Sequence, residues 1–191
     1  ANRRPIMKSI ILDRDGVINI ESAEFIKSPE EWLPIKGSLE AIARLSQAGF
    51  GIIILTNQSG IGRGLFSADM LGQIHVRMID YIHQAGGKVS CIAYCPHTPD
   101  SDCDCRKPKA GLYTEISQQL GISFSGIYSV GDSLRDLQAA QTAGAIPILV
   151  ETGNGKQTAK QIAKDPTLGL SDTPVFENLL AFTNSFLAEN T

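Results

Sequence analysis

Two aspartates two residues apart, Asp13 and Asp15, directly follow the apolar run Ile10-Ile11-Leu12, and Gly16 comes next. In an extended backbone residues i and i+2 point to the same side, so both carboxylates can converge on one ligand. Gly16 permits the turn that brings the main chain close to it. Carboxylates this near repel each other unless a cation lies between them or one is protonated. Both arrangements suit phosphoryl transfer, in which Mg²⁺ neutralises charge and a protonated Asp serves a leaving oxygen. Alone, the motif reads equally well as an Asp-rich turn.

Three further clusters shift that balance. Thr56-Asn57-Gln58-Ser59-Gly60 offers a hydroxyl and amides that can donate to phosphate oxygens. Arg106-Lys107-Pro108 supplies a guanidinium fork and a compact cation. Gly131-Asp132-Ser133-Leu134-Arg135-Asp136 adds one or two more carboxylates. Between the first and second of these, Cys95, His97, Cys103 and Cys105 place four soft ligands within eleven positions. Three thiolates and an imidazole are a standard set for structural Zn²⁺. The competing reading is disulfides or incidental cysteines, which a reducing compartment disfavours. A zinc clip over 95–105 would fix Arg106 and Lys107, which follow at once. Cys91 reads as a small buried hydrophobe, and His75 and His83 as surface or packing residues.

The elements that must position these groups read as an α/β domain. Apolar runs at 9–13, 50–56, 89–94, 127–130 and 146–151 are near-continuous, as expected of parallel strands buried on both faces. Segments of helical period fall at 38–48, 67–85, 112–120 and 134–143, with Gly49, Gly86, Gly121 and Gly144 as stops. Residues 175–187 read as a closing amphipathic helix. Each chemical cluster follows a strand, at the sheet end where open α/β folds bind ligands. The connections 14–36 and 96–110 are too long for simple turns, which marks them as functional.

With 191 residues, 42% of them hydrophobic and 19% charged, the chain is expected to form one soluble globular domain spanning 1–191. A net charge of −3 gives no support for a nucleic-acid or membrane-surface partner. The basic stretch from Ala1 to Lys8 is followed by no long apolar run, so neither a signal peptide nor a membrane helix is expected, and a cytoplasmic monomer is.

Asp-x-Asp, then Thr, Lys and Gly-Asp with a further Asp, in that order over 13–136, resembles the haloacid-dehalogenase-like phosphohydrolases. The resemblance implies a single Rossmann-like three-layer domain with a mainly parallel sheet. The gaps between motifs leave no room for a cap domain, so an open site walled by the two long loops is expected. It also implies roles. Asp13 is the nucleophile and Asp15 the general acid/base, while Thr56, Arg106 and Lys107 hold the phosphoryl group. Mg²⁺ lies on Asp13, Asp132 and the main-chain carbonyl of Asp15, and Zn²⁺ is structural.

The Cys-His loop narrows the resemblance to two groups, the heptose bisphosphate phosphatases and the histidinol-phosphate phosphatases. The second motif with its Arg63 between glycines resembles the first, and an extra arginine suits a sugar carrying a second phosphate, in carbohydrate metabolism leading to cell-surface polysaccharide. On that resemblance Asn57, Gln58, Ser59, Arg63, Glu21 and Ser133 contact a small phosphosugar. The alternatives are a histidinol-phosphate phosphatase, a nucleic-acid 3′-phosphatase, for which the charge gives no basic groove, and an inactive phosphosugar-binding module.

Overall fold

Ile10 and Leu12 of the first strand belong to one apolar core and Ile11 to another, and all three are at most 1% exposed. This strand, β1 (Ser9–Leu12), is therefore buried on both faces, which explains a run with no charged residue before Asp13. The computed structural model describes residues 8–190; the expectations for Ala1 to Met7 and for Thr191 lie outside them. Around β1 lie β2 (Gly51–Asn57), β3 (Cys91–Cys95), β4 (Tyr128–Gly131), β5 (Ile146–Val150) and β6 (Val175–Phe176). They form one parallel sheet in the order β3-β2-β1-β4-β5-β6.

The helices are α1 (Ser38–Gln47), α2 (Ala68–Gln84), α3 (Gly111–Leu120), α4 (Leu134–Ala143), α5 (Gly155–Lys164) and α6 (Leu179–Glu189). Ile42 and Leu45 of α1, Ile74 and Met78 of α2, and Phe182 and Phe186 of α6 pack on the face carrying Ile10, Leu12 and Ile54. Leu112 and Ile116 of α3, with Ala139 and Ala140 of α4, cover the face carrying Ile11, Ile53 and Leu55. The result is the expected three-layer α/β domain, and the described residues contain no cap domain and no helix long and apolar enough to cross a membrane.

The chain leaves β1 for β2 and β3 on one side, then returns to β4, β5 and β6 on the other. The reversal opens a crevice beyond the carboxyl ends of β1 and β4, where such sheets bind ligands. Two elements depart from expectation. The closing helix starts at Leu179, not Val175, because Val175 and Phe176 pair with Leu149 and Val150 as the edge strand β6. Asn178 then caps α6 by accepting the Ala181 N–H at 2.8 Å. Helix α5 was not expected at all, and its start brings Asn154 to the site.

Candidate active site

Asp13 leaves β1 with its main-chain N–H donating to the Val130 carbonyl at 3.0 Å, so the β1–β4 pairing sets its direction. Lys107 reaches it from the third connection. The lysine is 2% exposed, and its Nζ donates to Asp13 Oδ1 at 2.9 Å, Asp136 Oδ1 at 2.8 Å and the Leu55 carbonyl at 2.7 Å. All three ammonium protons are satisfied, which fixes the cation as a point charge beneath the cleft. Burial alone would lower its pKa; Asp13 and Asp136 outweigh that and raise it.

Asp13, Asp132 and Asp136 present carboxylate oxygens within 4.8 Å of one another. Burial, followed by the charge of Asp136, raises Asp13 to about 7 although Lys107 pulls it down. Burial, Asp136 and Asp13 raise Asp132 to about 9. Asp136 goes the other way: burial opposes its ionisation, but Lys107 and Ser133 hold its pKa low. One lysine among three buried carboxylates leaves excess negative charge, and a divalent cation bound by oxygens removes it. The backbone makes room for this crowding. A Cβ on Gly16 (φ +82°) or on Gly153 (φ +57°) would lie 2.0 or 2.2 Å from Asp132 Oδ2. Donors and space together fit Mg²⁺.

The second cluster is mutually braced. Thr56 is 1% exposed and its Oγ1 accepts from Gln58 Nε2 at 3.0 Å; the same Nε2 donates to Asp15 Oδ2 at 3.0 Å. The Asn57 carboxamide, at the edge of the cleft, grips the main chain of Lys107 in both directions. Ser59 Oγ accepts from Arg63 Nε at 3.4 Å, and the Arg63 guanidinium lies 5.6 Å from the Phe25 ring centroid. Arg63, Arg106 and Arg135 all line the cleft. Burial lowers the pKa of Arg106, and the charges of Arg135 and Arg63 add to that.

Ser133 and Glu21, both expected at the substrate, line the cleft and are also held by protein partners. Ser133 is the N-cap of α4: its hydroxyl donates to Asp136 Oδ2 at 2.9 Å and accepts the Asp136 N–H at 3.4 Å. Glu21 takes two hydrogen bonds, at 2.8 and 2.7 Å, from Asn154 Nδ2, while the Asn154 N–H donates to Asp132 Oδ2 at 2.9 Å. Asn154 and Arg135 are site residues the sequence reading missed. Arg135 lay in plain view beside Asp136; Asn154 had no signal once α5 was overlooked.

Asp15 is held by the side chains of Arg14, Asn19 and Gln58. Burial opposes its ionisation, but the Arg14 charge and these hydrogen bonds keep its pKa below the usual carboxylate value.

Beside the cleft, Cys95 Sγ lies 3.4 Å from His97 Nδ1, 3.9 Å from Cys103 Sγ and 3.0 Å from Cys105 Sγ, and His97 Nδ1 lies 3.3 Å from Cys105 Sγ. With Zn–S bonds of about 2.3 Å, the edges of a tetrahedral site are about 3.8 Å. The cluster fits zinc, and all four cysteines are free of disulfides. Cys91 stands apart and packs on the second core, as a small hydrophobe should. Arg106 Nη1 donates to the His97 carbonyl at 3.3 Å, tying the loop to the cation that follows it.

A carboxylate pair just after β1, a buried lysine and an acidic cluster after β4 define a haloacid-dehalogenase-like phosphatase site, and the HAD-hydrolase-like family model matches residues 104–176. A D-glycero-beta-D-manno-heptose-1,7-bisphosphate 7-phosphatase from Bordetella bronchiseptica is 50% identical over 96% of this chain and 99% of its own length. One from Pseudomonas aeruginosa is 46% identical over 93% of this chain and 97% of its own. The crystal structure of the B. bronchiseptica D,D-heptose 1,7-bisphosphate phosphatase, complexed with magnesium and phosphate, matches with a TM-score of 0.89 at 49% identity, over 96% of this chain and 99% of that one. The chain belongs to the D-glycero-beta-D-manno-heptose-1,7-bisphosphate 7-phosphatase family within the haloacid-dehalogenase-like hydrolases.

Proposed function

We propose that the chain removes the 7-phosphate of D-glycero-D-manno-heptose 1,7-bisphosphate through an aspartyl-phosphate on Asp13. The observation that carries this reading is the Asp13–Lys107 contact at 2.9 Å on the floor of a cleft whose wall bears Arg63, Arg106 and Arg135. Relatives at 46–50% identity bear this enzyme's name.

An Asp13 oxygen attacks phosphorus, and the bond from phosphorus to the sugar oxygen breaks. Asp15 gives its proton to the departing alkoxide. Water then attacks the aspartyl-phosphate, Asp15 takes a proton from that water, and inorganic phosphate leaves with Asp13 restored. The ionised Asp15 favoured by Arg14 is the form this second step needs. Its proton for the first step binds once an anionic substrate offsets the Arg14 field. Lys107, exchanging its bond to Asp13 for one to the phosphoryl group as Asp13 reacts, stabilises the non-bridging oxygens together with Thr56. Mg²⁺ on Asp13, Asp132 and the Asp15 carbonyl, when bound, supplies charge neutralisation between the Asp13 carboxylate and the phosphate dianion.

Three guanidinium groups line the cleft, and the charges of Arg135 and Arg63 both act on Arg106; such a cluster suits the second phosphate of a bisphosphate better than a cationic imidazole alcohol. The cleft, about 280 Å³, suits one small phosphosugar. The reading takes the chain as a cytoplasmic monomer, which sedimentation and fractionation would test.

The test is phosphate release from heptose 1,7-bisphosphate and from histidinol phosphate, side by side, with Asp13→Asn as control. Preference for the bisphosphate supports the reading; preference for histidinol phosphate overturns the substrate and keeps the chemistry. Full turnover by Asp13→Asn ends the mechanism.

A further inference from the structure

Between the two carboxylates that carry the chemistry sits Arg14, whose side chain is 0% exposed. Alternation along the backbone turns it away from the cleft and into the protein, beneath α2. A buried guanidinium is tolerated only when its charge is paired and its donors are met. Arg14 meets both needs locally. Its Nε and Nη2 donate to Asp15 Oδ1 at 3.2 and 2.8 Å, and its Nη1 lies 3.1 Å from Nε2 of His75.

His75 is 8% exposed on the inner face of α2, beside Ile74. Burial and the neighbouring Arg14 charge push its pKa down to about 3, so it faces Arg14 as a neutral ring with Nε2 as acceptor. A carboxylate at this position would divide the guanidinium's charge between two anions. A neutral acceptor satisfies Nη1 and leaves that charge undivided for Asp15. The main chain fixes the same unit, because the Arg14 carbonyl accepts from the N–H groups of Val17, Ile18 and Asn19. Asn19 Nδ2 donates to Asp15 Oδ1 at 2.9 Å and Gln58 Nε2 to Oδ2 at 3.0 Å, so both carboxylate oxygens are held.

We infer that Arg14 and His75 are positioning residues for the reaction: a brace running from helix α2 through a buried guanidinium that aims the Asp15 carboxylate at the leaving oxygen. The inference rests on the reading of Asp15 as the proton carrier. His75 touches neither the cleft nor the substrate, and its effect runs wholly through Arg14.

Leaving-group dependence separates aim from fold. A sugar alkoxide needs a proton as it departs; 4-nitrophenolate does not. The experiment is rapid-mixing measurement of the first turnover with heptose 1,7-bisphosphate and with 4-nitrophenyl phosphate, in the full-length chain with Mg²⁺. Variants are His75→Leu, His75→Gln and Asp15→Asn, and melting curves accompany each. General acid catalysis contributes about 10²–10⁴-fold, so Asp15→Asn should slow the sugar's first turnover by about that factor and spare the nitrophenyl burst. His75→Leu should show the same asymmetry at about 10-fold, and His75→Gln, whose carboxamide oxygen can still accept from Nη1, should recover most of it.

Equal losses on both substrates, or no loss, in His75→Leu overturn the brace if Asp15→Asn shows the asymmetry. Absence of the asymmetry in Asp15→Asn overturns the reading of Asp15 itself, and the brace with it. A His75→Leu chain too unstable to assay leaves His75→Gln to decide: it must keep the wild-type ratio between the two substrates, and a ratio shifted as in Asp15→Asn overturns the inference.

Discussion

The Asn57 carboxamide and the main chain of Lys107 hold each other at both ends: Asn57 Nδ2 donates to the Lys107 carbonyl at 3.1 Å, and Asn57 Oδ1 accepts the Lys107 N–H at 3.0 Å. Strand β2 thereby fixes a residue of the long third connection, 50 positions later in the chain. Each such hydrogen bond is worth about 1 kcal/mol net, and leaving the lysine's buried backbone groups unmet costs more. Asn57→Ala should lower stability by about 2 kcal/mol and turnover by at least about 10-fold, with substrate affinity less affected. Denaturant melts and steady-state phosphate release check this. Wild-type turnover in the variant would show that Lys107 needs no such grip.

Asp136 does two jobs that different substitutions separate. Its Oδ1 neutralises Lys107, and its Oδ2 accepts the Asp132 and Ser133 N–H groups at the start of α4. Asp136→Asn can keep an oxygen for the cap while losing the charge. Asp136→Ala loses both, leaving Lys107 with one anion, and should cost about 3 kcal/mol or more. Asp136→Asn should unfold less readily than Asp136→Ala yet lose comparable activity, because the Lys107 charge is then shared differently with Asp13. Equal melting curves for the two would refute the capping role.

The sequence made the middle of the sheet and the acidic and basic clusters readable, because a strand buried on both faces has only apolar choices until it ends. Its edges were opaque. Strand β6 is two residues long, with Val175 44% exposed, and carries no alternation to detect. Helix α5 buries only Gly155, Thr158 and Ile162 among lysines and glutamines, so its apolar stripe was too thin to register. Asn154, which links Asp132 to Glu21, went unseen with it. Ser133 carries a second role that a local rule makes readable: a Ser followed three positions later by Asp is a capping signature. Arg14 carries a signal of its own. A charge flanked by two cleft-facing residues must point inward, and an inward charge needs partners.

Zinc removal should act on catalysis through Arg106 and Lys107. Cys103 Sγ and Cys105 Sγ belong to the cluster, and Lys109 Nζ donates to the Cys103 carbonyl at 2.9 Å. Ordering a loop of this kind on substrate binding would cost about 1–2 kcal/mol per residue. The purified chain should contain about one zinc per molecule by elemental analysis, a structural site being four-coordinate and closed. Cys105→Ala should lower that content together with activity, and added Mg²⁺ should not restore it. Unchanged activity in a zinc-free variant would make the clip dispensable.

The arginine wall should separate a bisphosphate from a monophosphate. Arg135→Ala and Arg63→Ala should each raise KM for heptose 1,7-bisphosphate by about 5- to 50-fold, as expected for loss of one charge-assisted contact, and should leave KM for 4-nitrophenyl phosphate nearly unchanged. Arg63 also stacks on Phe25, which has φ +66°, so Phe25→Ala should reproduce part of the Arg63→Ala effect. Equal changes on both substrates would move these arginines out of the distal subsite.

Stability of the metal-free chain should fall as pH rises above neutrality. Asp13 is raised to about 7 and Asp132 to about 9, while both would ionise near 3.8 in the unfolded chain. Between these limits the folded state binds more protons than the unfolded one, so stability declines with rising pH until about 9. His75 has the opposite sign: its pKa is depressed from 6.5 to about 3, so its contribution is complete above 6.5 and is lost below it. The window from 6.5 to 9 is therefore free of His75, and the two aspartates must outweigh Cys103, whose thiol is lowered from 9.0 to about 7 and acts with the opposite sign there. Denaturant midpoints measured with a chelator should drop across this window. Added Mg²⁺ should flatten the slope, since a cation among Asp13, Asp132 and Asp136 replaces the protons that relieve their repulsion. A flat chelated profile would mean that the carboxylates find relief without proton or metal, and an Mg²⁺-independent slope would remove the cation from this cluster.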